Sequence, residues 1–252
     1  VAENPPEQVY EPGTTPAYSN YGLALAAYVV ENATGAPFDE YVQESVLEPA
    51  GMDSSTFSQP LPENMEENLS NGYPAADQPP GEFETVAEYP AGSLTTTASD
   101  MAEFMRVHME GSQGAGVLEA ETVAQMHEPA LDEDSLGGLA GGGQMTLGFF
   151  GEERNGNTIV SHGGDTNLFH SEMQVYPEEN AGIFITLNSS GDQALASHQL
   201  RLALAEGFAD RYFPGEQADG GEAEPTAAEH AAMMEGSYMP SRSVQSLSLI
   251  HI

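Results

Sequence analysis

No lysine occurs in this chain, and forty carboxylates face five basic side chains, all arginine: Arg106, Arg154, Arg201, Arg211 and Arg242. The resulting net charge of −35 limits what the chain can fold into more than any motif does. In dilute buffer so many like charges on one compact body drive it apart. At molar ionic strength the screening length shrinks to about 3 Å, and the repulsion is largely silenced. The composition therefore points to a protein made for very high salt. The same charge repels phosphate backbones and anionic lipid, which all but excludes nucleic-acid binding and polybasic membrane docking. Without lysine there is no P-loop, no Schiff-base lysine and no lysine-activated nucleophile within these residues.

The chain is long enough, at 252 residues, for one large domain or two modest ones with a real core. Its apolar fraction of 39% is low but well above that of a disordered chain. The absence of cysteine removes disulfides and thiolate metal sites. The longest apolar run, residues 23–30, falls far short of the roughly 20 residues that span a bilayer. The opening residues, Val1-Ala2-Glu3-Asn4-Pro5-Pro6, show neither a basic n-region nor an apolar core of a secretory signal.

Hydrophobic periodicity and punctuation divide the chain into a helical part and a later sheet. Ser19 or Asn20 caps a helix through Leu23, Ala27 and Val30 that Thr34-Gly35 stops. A second helix starts at Pro37, carries Phe38, Tyr41, Val42 and Val46 on one face, and ends before Pro49. Residues 53–92, rich in Pro, Gly, Asn and Ser, read as a long irregular surface excursion. Thr97-Ala98-Ser99-Asp100 is a capping-box pattern leading into Met101, Phe104, Met105 and His108, with Gly111 as the stop; a shorter helix fits residues 119–126. Residues 145–151 and 158–161 then flank Asn155-Gly156, the strongest short hairpin signal, and residues 171–176 and 182–188 form a second hairpin around Pro177-Glu178-Glu179-Asn180. An amphipathic helix over residues 192–212 closes the run. Helices first and four antiparallel strands later predict an α+β fold. Residues 214–229 read as an acidic solvated linker and residues 230–246 as the start of a further domain. Residues 247–252 resemble translated adaptor sequence and stand outside the fold.

Three groups of motifs, in order, carry the functional signal. The first is Pro12-Gly13-Thr14, Tyr18-Ser19-Asn20-Tyr21-Gly22, Thr34-Gly35 and Pro49-Ala50-Gly51-Met52. The second runs from Ala91-Gly92-Ser93-Leu94 through Thr97-Ala98-Ser99-Asp100 to Phe104-Met105. The third is Leu147-Gly148-Phe149 followed by Ser161-His162-Gly163-Gly164-Asp165 and the Pro177–Asn188 hairpin arm. Together they resemble the serine beta-lactamase-related family of class C beta-lactamases, D-alanyl-D-alanine carboxypeptidases and esterases, over about residues 9–213. The resemblance implies a beta-lactamase/transpeptidase-like fold and acyl transfer from a small-molecule substrate through a serine, with no cofactor. It implies Tyr18 as the proton shuttle between nucleophile and leaving group. By the same resemblance, Asn20 would hydrogen-bond the family's activating lysine and a substrate oxygen. The resemblance further makes His162-Gly163-Gly164 the third motif, its glycines letting the acyl substrate lie on the strand, and the backbone N–H of Asp165 one oxyanion donor. His162 in place of the lactamases' usual lysine tilts the expectation toward an esterase or D-amino-acid peptidase.

One departure is decisive. The family's nucleophile belongs to a Ser-x-x-Lys helix upstream of Tyr-x-Asn, and this chain has no lysine. The expectation is an N-terminal truncation that removed the nucleophile helix and the first strands, leaving the chain by itself catalytically silent. An ordinary tyrosine phenol, with a pKa near 10, is only about 0.1% ionised at neutral pH and is a poor base alone. The alternative is a non-catalytic binding or regulatory member that kept the groove and lost the nucleophile. Simpler roles also fit single residues: Tyr18 and Asn20 as turn aromatic and helix cap, His162 as a strand histidine satisfied by backbone. His162 and His170 with Asp165 between them match no strong metal-ligand spacing. The glycine run at residues 137–143 reads as a loop near the site mouth, since a phosphate loop needs a cation that is missing. No Gly-x-Ser-x-Gly elbow of an α/β-hydrolase occurs.

Overall fold

The computed structural model describes residues 5–109, 116–131, 144–193, 195–215, 226 and 232–233. The expected helix stop at Gly111, the glycine run at 137–143, and almost everything assigned to the linker, further domain and tail lie outside these residues.

Helix α1 (Asn20–Thr34) forms between the caps its sequence announces: Ser19 is extended and its Oγ accepts from Gly22 N–H at 3.0 Å, while Gly35 closes the helix in the left-handed region at φ 76°. The second helix differs from expectation. It begins as α2 (Phe38–Val42), widens into a π segment (Gln43–Leu47), and continues as α3 (Glu48–Ala50) to Gly51, so Pro49 lies inside it. Proline has no N–H to give the carbonyl one α-turn back, and the i→i+5 bonds of Glu48 to Gln43 and Met52 to Leu47 bridge the gap. Two short helices, α4 (Glu63–Glu66) and a 3₁₀ turn (Tyr89–Ala91), interrupt the excursion at 53–92.

That excursion is less superficial than its composition suggests. Ser55, Thr56 and Leu61 are buried, and Thr56 bridges to Thr95. The anchor is Asp100, in the first turn of α5 (Ala98–Val107). Thr97 caps α5 by accepting from Asp100 N–H, and the Asp100 carboxylate accepts from Thr97 Oγ1 at 3.1 Å, Ser54 N–H at 2.8 Å and Ser55 Oγ at 2.6 Å. Truncating it removes the charged acceptor of the half-buried Ser54 N–H and of the buried Ser55 hydroxyl, which keeps only Thr96 Oγ1 at 2.7 Å. Asp100→Ala is expected to cost about 3 kcal/mol in urea unfolding at molar salt, and a cost below about 1 kcal/mol would show the anchor to be dispensable.

After α6 (Ala120–His127) come five strands: β1 (Gln144–Met145), β2 (Phe150–Arg154), β3 (Asn157–Asp165), β4 (His170–Tyr176) and β5 (Ala181–Leu187). They form one antiparallel sheet in chain order, one strand more than expected, because the turn at Gly148 (φ 93°) breaks residues 145–151 into two arms. The β2–β3 hairpin turns on Asn155 (φ 55°) and Gly156 (φ 78°), both left-handed as a type I′ turn requires. The register places Val160, His162, Gly164, Ser171, Met173, Val175 and Phe184 on one face, here the front, and Ile159, Ser161, Gly163, Asp165, His170, Glu172 and Tyr176 on the back. The main core packs Met101 and Met105 of α5 with Met52 and Leu47 against the front face.

Helix α7 (Ala196–Tyr212) covers the back face. Its buried stripe is Ser197, Arg201, Ala205 and Ala209, while Leu200, Leu202 and Leu204 remain 46–49% exposed. The amphipathic helix expected from the sequence is therefore not the one that forms. Small residues let α7 close on Tyr176 and Ile159, and the leucines flank the contact. At its C-terminal end, Arg154 holds Asp210 at 3.0 Å and Asn155 reaches the Phe213 carbonyl.

Candidate functional site

Two distant motifs meet on one aromatic ring. Tyr18, immediately before the Ser19 cap of α1, stacks on Phe150 of β2 with centroids 6.0 Å apart and lies 5.7 Å from the ring of His162 on β3. Phe150 and His162 are 5.5 Å apart. The β2 ladder ends at the Phe150–Ser161 pair, so His162 is the first residue of β3 beyond it. Its Nδ1 lies 2.6 Å from the Gly163 carbonyl. A carbonyl only accepts, so Nδ1 carries the proton and Nε2 of the neutral ring is an acceptor. Asn20 is the first residue of α1 and takes no part in this ring cluster.

The glycine pair divides between the two faces. A Cβ on Gly164 meets nothing within 4 Å among the described residues, which leave the front of the strand open there for a ligand backbone. Gly163 does different work: a Cβ at that position comes within 3.1 Å of Glu172 Oε2 on the back of the sheet. There Asp165 Oδ1 takes hydrogen bonds from His170 Nδ1 and from Arg201 Nη2, each at 2.6 Å. Burial alone raises the Asp165 pKa, but the bonds from His170 and Arg201 outweigh it and hold the carboxyl below its usual value. Glu172 goes the other way. Burial, with Glu152 and Asp165 nearby, pushes its carboxyl up to about 7 despite Arg201. His162 and His170 project from opposite faces and Arg201 already supplies the cation to Asp165, so these residues do not converge on a metal; among the described residues no cluster of three or more ligating side chains occurs.

A cleft of about 750 Å³ opens between the 53–97 segment and the front face, lined among others by Ser93, Thr95, Thr166, Phe169, Phe184 and Asn188. Neither Tyr18, Asn20 nor His162 lines it, and among the described residues its lining contains carboxylates but no cation. Its rim is held by Glu84, whose carboxylate accepts from Thr166 Oγ1, Asn167 N–H and Nδ2, and Leu168 N–H at 2.5–3.0 Å. Burial works against that carboxylate, and these four bonds still bring its pKa below the normal range. Phe150, Glu84 and Arg201 escaped the sequence reading. Only Arg201 left a trace: a rare arginine in step with Ser197, Ala205 and Ala209, on the stripe that small residues mark as buried.

Residues 4–207 match the family model described as Beta-lactamase. The chain is 23% identical over 186 residues to the D-alanyl-D-alanine-carboxypeptidase/endopeptidase AmpH of Escherichia coli, covering 71% of this chain and 46% of that protein. It is 20% identical over 222 residues to a beta-lactamase of Pseudomonas fluorescens, covering 77% of this chain and 61% of the relative. Among solved structures it resembles the octameric penicillin-binding protein homologue from Pyrococcus abyssi, with a TM-score of 0.61, 24% identity, and coverage of 79% of this chain and 44% of that one. The chain thus spans about half the length of these relatives. The structural likeness establishes the beta-lactamase/transpeptidase-like fold.

Proposed function

Because the chain belongs to the beta-lactamase family, we propose that it forms one wall of a serine acyl-transfer site. The observation that carries this reading is the meeting of Tyr18 with His162 across Phe150. In the proposed reaction a serine oxygen attacks the substrate carbonyl and its proton passes to Tyr18. The oxyanion is held by the Asp165 N–H, and Tyr18 returns the proton to the leaving alcohol or amine. His162 Nε2 takes the phenol proton of Tyr18 as Tyr18 receives the serine's, and returns it when Tyr18 protonates the leaving group. Asn20 orients the substrate's amide or ester oxygen, and the acyl chain runs past the open face of Gly164. Water then repeats the cycle on the acyl-enzyme. With no lysine, the chain contains no Ser-x-x-Lys, so the nucleophile and its base come from residues other than these.

Neutral esters or D-amino-acid amides fit better than beta-lactams. Of the arginines among the described residues, Arg106, Arg154 and Arg201 are paired with acids and Arg211 lies over Tyr212, so none is offered to a substrate carboxylate. The working medium is molar salt. Dialysis to low salt is expected to erase the far-ultraviolet circular dichroism of the fold, and retention of the full signal would remove that part of the reading. The activity is tested with a serine-directed fluorophosphonate in high salt. It is applied to this chain and to the chain extended by the coding sequence preceding it in the gene. Label on the extended polypeptide alone supports the enzyme. Label on neither favours the non-catalytic binding member.

A further inference from the structure

We infer that Arg201 is a positioning residue for the acyl site, an inference that rests on the reading above. Its guanidinium is 3% exposed in a chain whose other charges are overwhelmingly negative. Such burial of a cation is tolerated only with near-complete pairing, and the pairing here is with one short stretch of the sheet. From α7, Nη2 donates to Asp165 Oδ1 at 2.6 Å, while Nη1 donates to the Ser171 carbonyl and, at 3.4 Å, to the Gly164 carbonyl. Nε donates to the Ser197 carbonyl one turn back on its own helix. A single rigid fork thus ties three points of the last two rungs of β3–β4 to α7, a geometry that an ammonium cannot reproduce.

That stretch needs holding. Beyond Ser161, β3 has lost β2 as a neighbour, and among the described residues 162–165 pair with β4 alone. These are the residues whose front carries His162 and the open Gly164, and whose end supplies the proposed oxyanion N–H. The rear is arranged around the guanidinium: Gly163 has no side chain where Glu172 Oε2 approaches, and the same missing Cβ would sit 3.9 Å from Arg201 Nη1. His170 completes the latch. It bonds Asp165 with one nitrogen and lies 2.9 Å from Ser190 Oγ with the other, and Ser190 Oγ donates to the Asn167 carbonyl. The strand end is therefore fixed from behind, through groups that never face the substrate.

The test compares wild type with Arg201→Met, which keeps the stem without a buried charge, and Arg201→Lys, which keeps the charge without the fork. Amide hydrogen exchange of this chain in molar salt is expected to speed up by about tenfold or more at residues 162–165 and 170–171 in Arg201→Met. Residues 157–161 and 181–187 should hold their protection, and Arg201→Lys should fall between. An unchanged or uniformly faster exchange overturns the inference, and the lysine variant gives the same readout should the methionine variant fail to fold. In the acylating polypeptide, Arg201→Met is expected to slow fluorophosphonate labelling by about tenfold or more, with the KM for an ester changed less than about threefold and partial rescue by Arg201→Lys. Wild-type labelling in Arg201→Met overturns the inference even where exchange is locally faster. A local exchange effect with no label on wild type supports the anchoring of β3 and refutes the acyl-site reading instead.

Discussion

Replacing Tyr18 by Phe in the acylating polypeptide is expected to slow serine labelling and ester turnover by about 10²–10⁴-fold, the usual worth of a positioned proton-transfer group. The variant loses one oxygen and no ring. Stacking on Phe150 and the contact with His162 depend on the aromatic face, so unfolding in urea should move by less than about 1 kcal/mol. That separation matters, because a turn aromatic with no chemical role would show the opposite pattern: equal labelling, with any change confined to stability. Equal labelling in Tyr18→Phe would remove Tyr18 from the reaction, whatever the melting curve did. The neighbour sharpens the expectation. His162 has its Nδ1 committed to the Gly163 carbonyl, so His162→Phe, which keeps a ring beside Tyr18 but has no acceptor, should lose rate in the same direction.

The largest expected effect on stability comes from a histidine far from that site. His108, 2% exposed and packed between Phe104 and Phe149, is held down to a pKa of about 4 by burial and, secondarily, by His127, whose Nε2 lies 3.3 Å from its Nδ1. Its folded pKa lies below the unfolded value of about 6.5, so the unfolded chain binds the extra proton in between. Stability from this group is therefore complete above about pH 6.5 and is lost as the pH falls toward 4, by about 3 kcal/mol in all. Glu172 opposes it. With a folded pKa raised to about 7, its burial costs nothing below the unfolded value near 4.5 and becomes increasingly unfavourable as the pH rises through 7. The two slopes partly cancel in the wild type, which hides both. The stability difference between wild type and His108→Phe isolates the first, since the remaining carboxylates titrate alike in both. That difference should shift in favour of His108→Phe by about 3 kcal/mol between pH 7 and pH 4 in molar salt. A pH-independent difference would show that His108 stays solvated enough to titrate normally. Glu172→Gln should be the more stable protein at pH 8 and gain nothing at pH 4.

Much of the local architecture was legible before any coordinate. Ser19 and Gly35 bound α1 because capping is decided within four residues of sequence, and Asn155-Gly156 made its hairpin because both positions need φ above zero. The family resemblance put Tyr18 and His162 around one site, but that their rings meet beside Phe150 is visible only in the fold. Local physical chemistry contains nothing that brings those two residues together. Where tertiary contacts compete with local preference, reading along the chain failed. Pro49 reads locally as a stop, yet the helix runs past it by widening one turn. The amphipathic pattern expected over residues 192–212 does not set the contact: the sheet's back accepts Ser197, Arg201 and two alanines.

The sequence by itself determined the acidic, lysine-free character of this protein, the order of helices and strands, the turns, and the family. These depend on composition or on neighbours a few residues apart. Only the tertiary structure decided which face of each strand looks forward, that the front of Gly164 is open while Gly163 makes room at the rear, that Phe150 meets both Tyr18 and His162, that Glu84 ties the 166–168 turn, and that Arg201 is buried against Asp165. A strand's two faces differ only through what packs on them, and a buried charge finds its partners across the fold. Arg201 on α7 and Asp165 on β3 are neighbours solely because a helix of small residues can close on that sheet.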